Sequence, residues 1–369
     1  MTVPRVGADG ASCSVEVMVP TVVGEAECAG RTILRTVDSP VSDRLRYVVF
    51  GAGAIGAVVG GRLSQAGFDV TLIARGAHLA ALQAGGLRLD SPAGTDTVGV
   101  TAVGHPREID WRGDEVVLMA VKSQQTPAAL VDLAAVAPPE TPIVCLQNGI
   151  ANEPATLRLF PNVYAVSVAC PTSHLEPGVV QAWSTPVTGL LDIGCYPTGI
   201  DQVCAAVAED LRAATFSSFP DAAISRWKNR KLLTNLGNAI EAVCGPHERQ
   251  GQLGDMVLAE GEAVLDAAGL EAATAQEDLA RRADLLQRGQ IAGRTRPGGS
   301  SWQSLRRGTG DIETDYLNGE IVLLGRIHGV PTPANALLQR LARELAATLA
   351  APGAIPAATI LERLGRSST

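Results

Sequence analysis

The feature that most constrains this chain is a glycine pattern set between two runs of β-forming residues. Arg46, Tyr47, Val48, Val49 and Phe50 lead directly into Gly51, Ala52, Gly53, Ala54, Ile55 and Gly56. A helical segment follows through Val58, Val59, Leu63 and Ala66 to Gly67, and Asp69 to Ala74 then reads as a second strand. Strand, GxGxxG, helix and strand within about 30 residues is the opening of a dinucleotide-binding βαβ unit. Each glycine has its own task there. Gly51 permits the tight turn, Gly53 lets the backbone approach a pyrophosphate, and Gly56 lets the helix pack close to the sheet. The free N–H groups at the helix start, with the positive end of its dipole, complete a phosphate cradle.

The end of the second strand separates the two nicotinamide cofactors. An NAD site usually places Asp or Glu there, about 20 residues past the glycines, to hold the ribose 2′-hydroxyl. This chain has Ala74, Arg75 and Gly76. A cation at Arg75 suits a 2′-phosphate, so the expected cofactor is NADPH. Further along, Leu87 to Leu89 and Val98 to Val103 read as a hairpin-like insertion. The apolar runs 115–121 and 141–146 read as buried parallel strands. They end in Lys122 and in Asn148. Ligands in open α/β sheets bind outside the carboxyl ends of the strands, which makes Lys122 and Asn148 candidate site residues.

Composition narrows the class. Of 369 residues, 46% are hydrophobic and 18% charged, enough apolar material for two domains. The balance of 30 basic against 38 acidic residues gives a net charge of −8 and argues against nucleic-acid binding. No uninterrupted apolar run reaches the length of a membrane span. The seven cysteines are odd in number and form no CxxC pair, and the five histidines form no HxxxH or HxH pair. Neither a disulfide framework nor a metal site is expected, and the cytoplasm is the expected compartment.

The fold class expected is α/β: a Rossmann-type doubly wound sheet over residues 44–218, followed by an all-helical C-terminal domain over 219–350. Residues 1–43 read as a disordered extension, and 351–369 as a tail or a final helix. In the helix beginning near Ile224, Lys231 and Asn235 are four apart and share one face. An Asn beside a Lys can fix a carbonyl while the ammonium donates a proton to it. Lys228, Arg230 and Lys231 fit a solvated helix face equally well. Later in the chain, Ser301 and Glu313 flank a glycine-broken segment.

The order of these motifs resembles the ketopantoate reductase (2-dehydropantoate 2-reductase) family, from about Arg44 to Leu345. The resemblance is carried by Gly51, Gly53 and Gly56, by Lys122 after Val121, by Asn148 after Gln147, and by Lys231 with Asn235. Ser301 twelve residues before Glu313, the run Glu313 to Gly319 and the stretch Gly329 to Asn335 complete it. It implies an active site in a cleft between the domains and NADPH reduction of a 2-oxo acid, with ketopantoate to pantoate, a step toward coenzyme A, as the leading reaction. It further implies Lys231 as general acid and Glu313 as a partner of the new hydroxyl or of the lysine. Asn235, Ser301 and Asn148 would bind substrate polar groups, and Lys122 would lie by the cofactor and the substrate carboxylate. Residues Gly51 to Gly56, Arg75, Lys122, Asn148 and Glu313 would contact the cofactor. The expected partner is a small-molecule 2-oxo acid, with a homodimer as the candidate assembly.

The sequence departs from the family at several positions. Ala239 stands where a second Asn is common, Ser304 and Leu305 where Gln and Asp are usual, and Arg296 to Gly299 where an Asn often precedes the serine. These changes leave open a paralogue acting on another 2-oxo acid. A 3-hydroxyacid dehydrogenase and a non-catalytic NADP(H) sensor are the competing readings.

Overall fold

The computed structural model describes residues 45–367; the expected extension 1–43 lies outside the described residues. The chain opens with β1 (Arg46–Phe50), α1 (Ala54–Gln65), β2 (Asp69–Ile73) and α2 (Gly76–Gly85). Strands β3 (Leu87–Ser91), β4 (Gly94–Val98) and β5 (Thr101–Val103) follow. Then come β6 (Glu115–Met119), α3 (Thr126–Ala134), β7 (Ile143–Cys145), α4 (Asn152–Leu157) and β8 (Val163–Ala169). Strands β9 (Thr172–Glu176), β10 (Val179–Ala182), β11 (Ser184–Pro186) and β12 (Leu190–Cys195) precede α5 (Gln202–Ala213). The C-terminal part holds α6 (Ile224–Cys244), α7 (Gln252–Ala267), α8 (Ala275–Arg282), β13 (Leu286–Arg288), α9 (Ser300–Arg307), α10 (Asn318–His328), α11 (Pro333–Ala347) and α12 (Ala357–Ser367).

The main sheet has the order β12-β8-β7-β6-β1-β2-β5. Its pairings are parallel except for β12, which runs antiparallel to β8. Leaving β12 aside, this is the 3-2-1-4-5-6 order of a dinucleotide-binding sheet, with the crevice between β1 and β6. Strand β1 shows why its sequence is apolar throughout. Tyr47 and Val49 face the core under α1 and α5, and Val48 and Phe50 face the core under α3. Both faces are covered, so no polar alternation is needed.

One strand reading is corrected. Residues Val98 to Val103 are not a single arm of a hairpin. Val98 ends β4 opposite Leu87, whereas Thr101 to Val103 form β5 beside β2 in the main sheet. Gly99 divides the run. The β3–β4 hairpin joins β10 and β9 in a separate four-stranded sheet.

After α5 the chain runs along β12 before turning into α6: the Ile193 amide donates to the Phe219 carbonyl and the Asp221 amide to the Ile193 carbonyl. The helical part has its own core. Leu232, Leu236 and Ile240 of α6 pack with Val257 and Val264 of α7, Ile321 of α10 and Leu338 of α11. Strand β13 is the short exception to the helices there and pairs with β11. Of the two readings of the C-terminal stretch, the structure has the helix, with Ile360 and Leu364 of α12 buried in that core. The side chains of Asn318 and Asn335 bond to each other at 3.0 Å and are fully buried. Glu260 accepts from the Ala334 and Asn335 amides at the start of α11. The paired asparagines therefore hold the bundle together.

Candidate active site

The glycine loop has the geometry that a phosphate cradle requires. Gly51 has φ +106°, and a Cβ there would meet the Val121 amide nitrogen at 2.7 Å. A Cβ on Gly56 would meet the Gly51 carbonyl oxygen at 2.2 Å, so only glycine lets α1 sit this close to the loop. A Cβ on Gly53 would meet nothing within 4 Å. The space over Gly53 is open and lies at the N-terminus of α1, where Ala54, Ile55 and Gly56 present first-turn N–H groups. Ala52 is held below by its amide, which donates to the Ile73 carbonyl at 3.0 Å. Arg75 follows β2, is 71% exposed, and stands 3.6 Å from Asp132 of α3.

The ends of β6 and β7 form a second group. Lys122 follows β6, and its ammonium donates to the Asp311 carbonyl at 3.3 Å, with the Asp311 carboxylate at 3.6 Å. Burial pulls the Lys122 ammonium below its ordinary range, partly offset by Asp311. Ser123 donates from both its amide and its hydroxyl to Glu313 Oε1, each at 2.8 Å. Burial raises the Glu313 carboxyl, and these two hydrogen bonds from Ser123 oppose the rise. Gly149, at φ +80°, leaves only enough room for the Tyr316 carbonyl, which a Cβ would meet at 2.8 Å. Residues 311–316 thus lie directly on the strand-end loops.

The third group belongs to α6. Asn235 Nδ2 donates to Asn148 Oδ1 at 2.9 Å, joining the β7 loop to the helix. Lys231 stands one turn before Asn235 and faces a small cleft lined by Gln147, Asn148, Gly149, Val166, Val168 and Lys228. Its ammonium is pulled down to about 7. Burial is the main cause, the charges of Arg282, Arg249 and Arg296 add to it, and Asp278 opposes it. Lys228 is buried and paired with the buried Glu153, and it donates to the Gln147 carbonyl at 3.0 Å. Two lysines three residues apart therefore differ in kind: Lys228 is paired with Glu153, and Lys231 has no ion-pair or hydrogen-bond partner among the described residues.

The sequence candidates are not all brought together. Asn148, Asn235 and Lys231 form one cluster. Lys122 and Glu313 form an adjoining one, and among the described residues no hydrogen bond or ion pair links Glu313 to Lys231. Ser301 is buried in α9, which packs on α6, with no bond to the Asn148–Asn235 pair. Sequence reasoning missed Ser123, which anchors Glu313, and Asn152, whose Nδ2 donates to Ser123 Oγ at 3.0 Å and to the Asn148 carbonyl at 3.1 Å. It also missed the contact between His78 and His174, whose rings are inclined at 51° with centroids 4.3 Å apart beside Ala52. Nothing local in the sequence marks these residues. Among the described residues, Cys195, Asp201 and Cys204 are grouped closely enough for metal ligation, at the β12–α5 edge. Among the described residues no helix is long and apolar enough to cross a membrane.

Residues 47–197 match the family described as "Ketopantoate reductase PanE/ApbA", and residues 223–346 match "Ketopantoate reductase PanE/ApbA C terminal". The chain belongs to the ketopantoate reductase family. A 2-dehydropantoate 2-reductase of Pyrococcus horikoshii is 27% identical over 310 residues, covering 81% of this chain and 97% of that protein. One from Halobacterium salinarum is 28% identical over 313 residues, covering 81% and 98%. A solved PanE/ApbA family ketopantoate reductase from Ralstonia eutropha JMP134 is 30% identical, with a TM-score of 0.69, and covers 83% of this chain and 99% of its own. D-mandelate dehydrogenase, solved with NADH and anilino(oxo)acetate, has the same fold at 21% identity and a TM-score of 0.69. The two family segments are separated by residues 198–222, which hold α5 and the run that leads into α6. The ketopantoate reductase fold thus places Asn148 and Asn235, one from each segment, in contact.

Proposed function

We propose that the protein reduces a 2-oxo acid to the 2-hydroxy acid with NADPH, with ketopantoate to pantoate as the first candidate reaction and the cytoplasm as its setting. The observation that carries this reading is the Asn235–Asn148 hydrogen bond beside a lysine poised near neutrality. The glycine loop fits a pyrophosphate by its open space over Gly53, and Arg75 would meet a 2′-phosphate. A bound nicotinamide would supply the hydride.

The chain's own residues supply the rest. Lys231 holds a proton that is easily given up near pH 7 and delivers it to the oxygen that gains charge on reduction. Asn235 and Asn148 lock each other's amides and so fix the polar wall against which the carbonyl lies. Glu313, fastened to Ser123, keeps residues 311–316 against the strand ends and holds Lys122 in place through Asp311. The buried Lys228–Glu153 pair fixes the Gln147 carbonyl under the Asn148 loop.

The test follows NADPH absorbance with ketopantoate and a panel of 2-oxo acids, for the wild type and for Lys231→Ala. Turnover should fall in the variant by about a thousandfold, within the range usual for loss of an acid catalyst, with NADPH binding retained. Normal turnover in the variant would remove Lys231 from the mechanism. NADPH binding without turnover of any 2-oxo acid would favour a sensor.

A further inference from the structure

Helix α11 has two working faces. Leu338, Leu341, Ala342 and Leu345 are buried in the helical core. Ala336, Leu337, Arg340 and Arg343 fall between them along the helix and line a groove of about 730 Å³. Arg326 of α10 and Arg363 and Leu364 of α12 line the same groove, so three helices converge on it. None of the residues proposed for the reduction lines it.

Four arginines thus share one concavity in a chain whose net charge is −8. Arg340 pairs with Glu344 at 3.0 Å, and both side chains are more than half exposed. Arg343 stands 3.6 Å from Asp315, whose other oxygen accepts from Gln339 at 2.7 Å. Exposed pairs of this kind contribute little, so these guanidiniums keep most of their N–H donors for an incoming group. Arg326 has no side-chain hydrogen bond or ion pair among the described residues. A cleft lined by one sign of charge focuses its field on a counter-ion. The guanidinium fork matches a phosphate, whose three acceptor oxygens engage more donors than a carboxylate's two. Ala336, Leu337 and Leu364 add an apolar surface to the same groove. Its volume lies in the range of small-molecule sites, roughly 300–1,000 Å³.

We propose that the groove between α10, α11 and α12 binds a small phosphorylated molecule with an apolar or aromatic body. Arg326, Arg340 and Arg343 take the phosphate, and Leu337 carries the body. This site is separate from the reductase reading, and neither depends on the other.

The experiment is isothermal titration calorimetry of the full chain, with NADPH present in excess to keep the glycine loop occupied. The probes are phenyl phosphate, phenol, benzoate, inorganic phosphate and a hexaglutamate peptide. Phenyl phosphate should bind more tightly than the other four, and about tenfold more tightly than phenol, the scale of one charge-assisted hydrogen bond. Arg326→Met and Arg343→Met should each weaken it by about tenfold, and Arg326→Lys should restore part of the loss. Leu337→Ser should weaken phenyl phosphate and leave inorganic phosphate unchanged. Arg75→Ala should leave phenyl phosphate binding unchanged, which separates the groove from the cofactor loop. Circular dichroism checks the fold of each variant, and the wild-type ranking alone decides if a variant does not fold. No saturable binding of phenyl phosphate, or an unchanged affinity in both folded methionine variants, would overturn the proposal. Tighter binding of hexaglutamate than of phenyl phosphate would also overturn it and make the groove a docking face for an acidic peptide. Failure of NADPH to bind would count against the reductase reading alone, and the same titrations without it would still decide the groove.

Discussion

The glycine loop and the Lys231 cleft are built by opposite means. In the loop, six consecutive residues define the shape. Gly51 makes the turn, Gly53 leaves space, and Gly56 permits contact, so the backbone alone would be the binding surface for the proposed cofactor. In the cleft, the proposed working atoms come from Asn148, Lys231 and Asn235, the asparagines lying 87 positions apart and meeting only after two cores have formed. A site made of backbone is sensitive to single added carbons. A site made of distant side chains is sensitive to charge and to proton occupancy.

The largest expected contrast is therefore in pH. If Lys231 must carry a proton in the reduction, kcat/KM should fall as pH rises through about 7, approaching tenfold per unit and reaching about fiftyfold from pH 7 to pH 9. Stability responds with the opposite sign. The folded-state pKa is lowered from 10.5, so between about 7 and 10.5 the unfolded chain binds the extra proton, and the contribution of Lys231 to stability grows with pH. Urea unfolding of the wild type and of Lys231→Met across this range measures the second effect, and steady-state rates measure the first. A rate that stays flat to pH 10 would detach Lys231 from proton transfer.

The same contrast explains what was legible beforehand. The β1–α1–β2 unit, its glycines, the strand ends at Lys122 and Asn148, and the shared face of Lys231 and Asn235 are local or periodic features, and periodicity survives folding. The division of Val98 to Val103 between two sheets was not legible, because Gly99 separates partners chosen by distant strands. Nor was the anchoring of Glu313 by Ser123, which are 190 residues apart. The resemblance to a family supplied Glu313 as a residue of interest, but its position came from packing: the carboxylate meets Ser123 and the neighbourhood of Lys122 rather than Lys231. Lys228 and Lys231 looked alike on one helix, and only the buried Glu153 beneath one of them tells them apart.

A smaller effect separates two glycines within the loop itself. In Gly56→Ala the new methyl group would lie 2.2 Å from the Gly51 carbonyl oxygen and 2.9 Å from Ala120 Cβ, so backbone must move. Overpacking of this kind costs about 1–3 kcal/mol. Gly53→Ala places its methyl group in open space, and its φ of −79° suits alanine, so unfolding should change by less than about 0.5 kcal/mol. The NADPH affinity should drop in Gly53→Ala all the same, because that methyl group occupies the approach to the cradle. Chemical denaturation and fluorescence titration together resolve the pair. Equal stability losses in both variants would show that the loop tolerates no side chain for folding reasons alone, and would remove the argument that Gly53 is kept open for a ligand.

The smallest expected effect belongs to Arg75, where a side chain rather than backbone would meet the proposed cofactor. Arg75 is 71% exposed and stands 3.6 Å from Asp132, a spacing at which an exposed ion pair contributes little. Its loss should therefore leave stability nearly unchanged. If it holds a 2′-phosphate, Arg75→Ala should weaken NADPH binding by about tenfold, the scale of one charge-assisted hydrogen bond, and leave NADH binding close to the wild-type value. Asp132 sharpens the test, since Asp132→Asn frees the guanidinium and should tighten NADPH binding slightly without the same gain for NADH. Equal changes for the two cofactors in both variants would place the selection of cofactor elsewhere on the loop, on backbone amides that cannot distinguish a phosphate from a hydroxyl at the ribose.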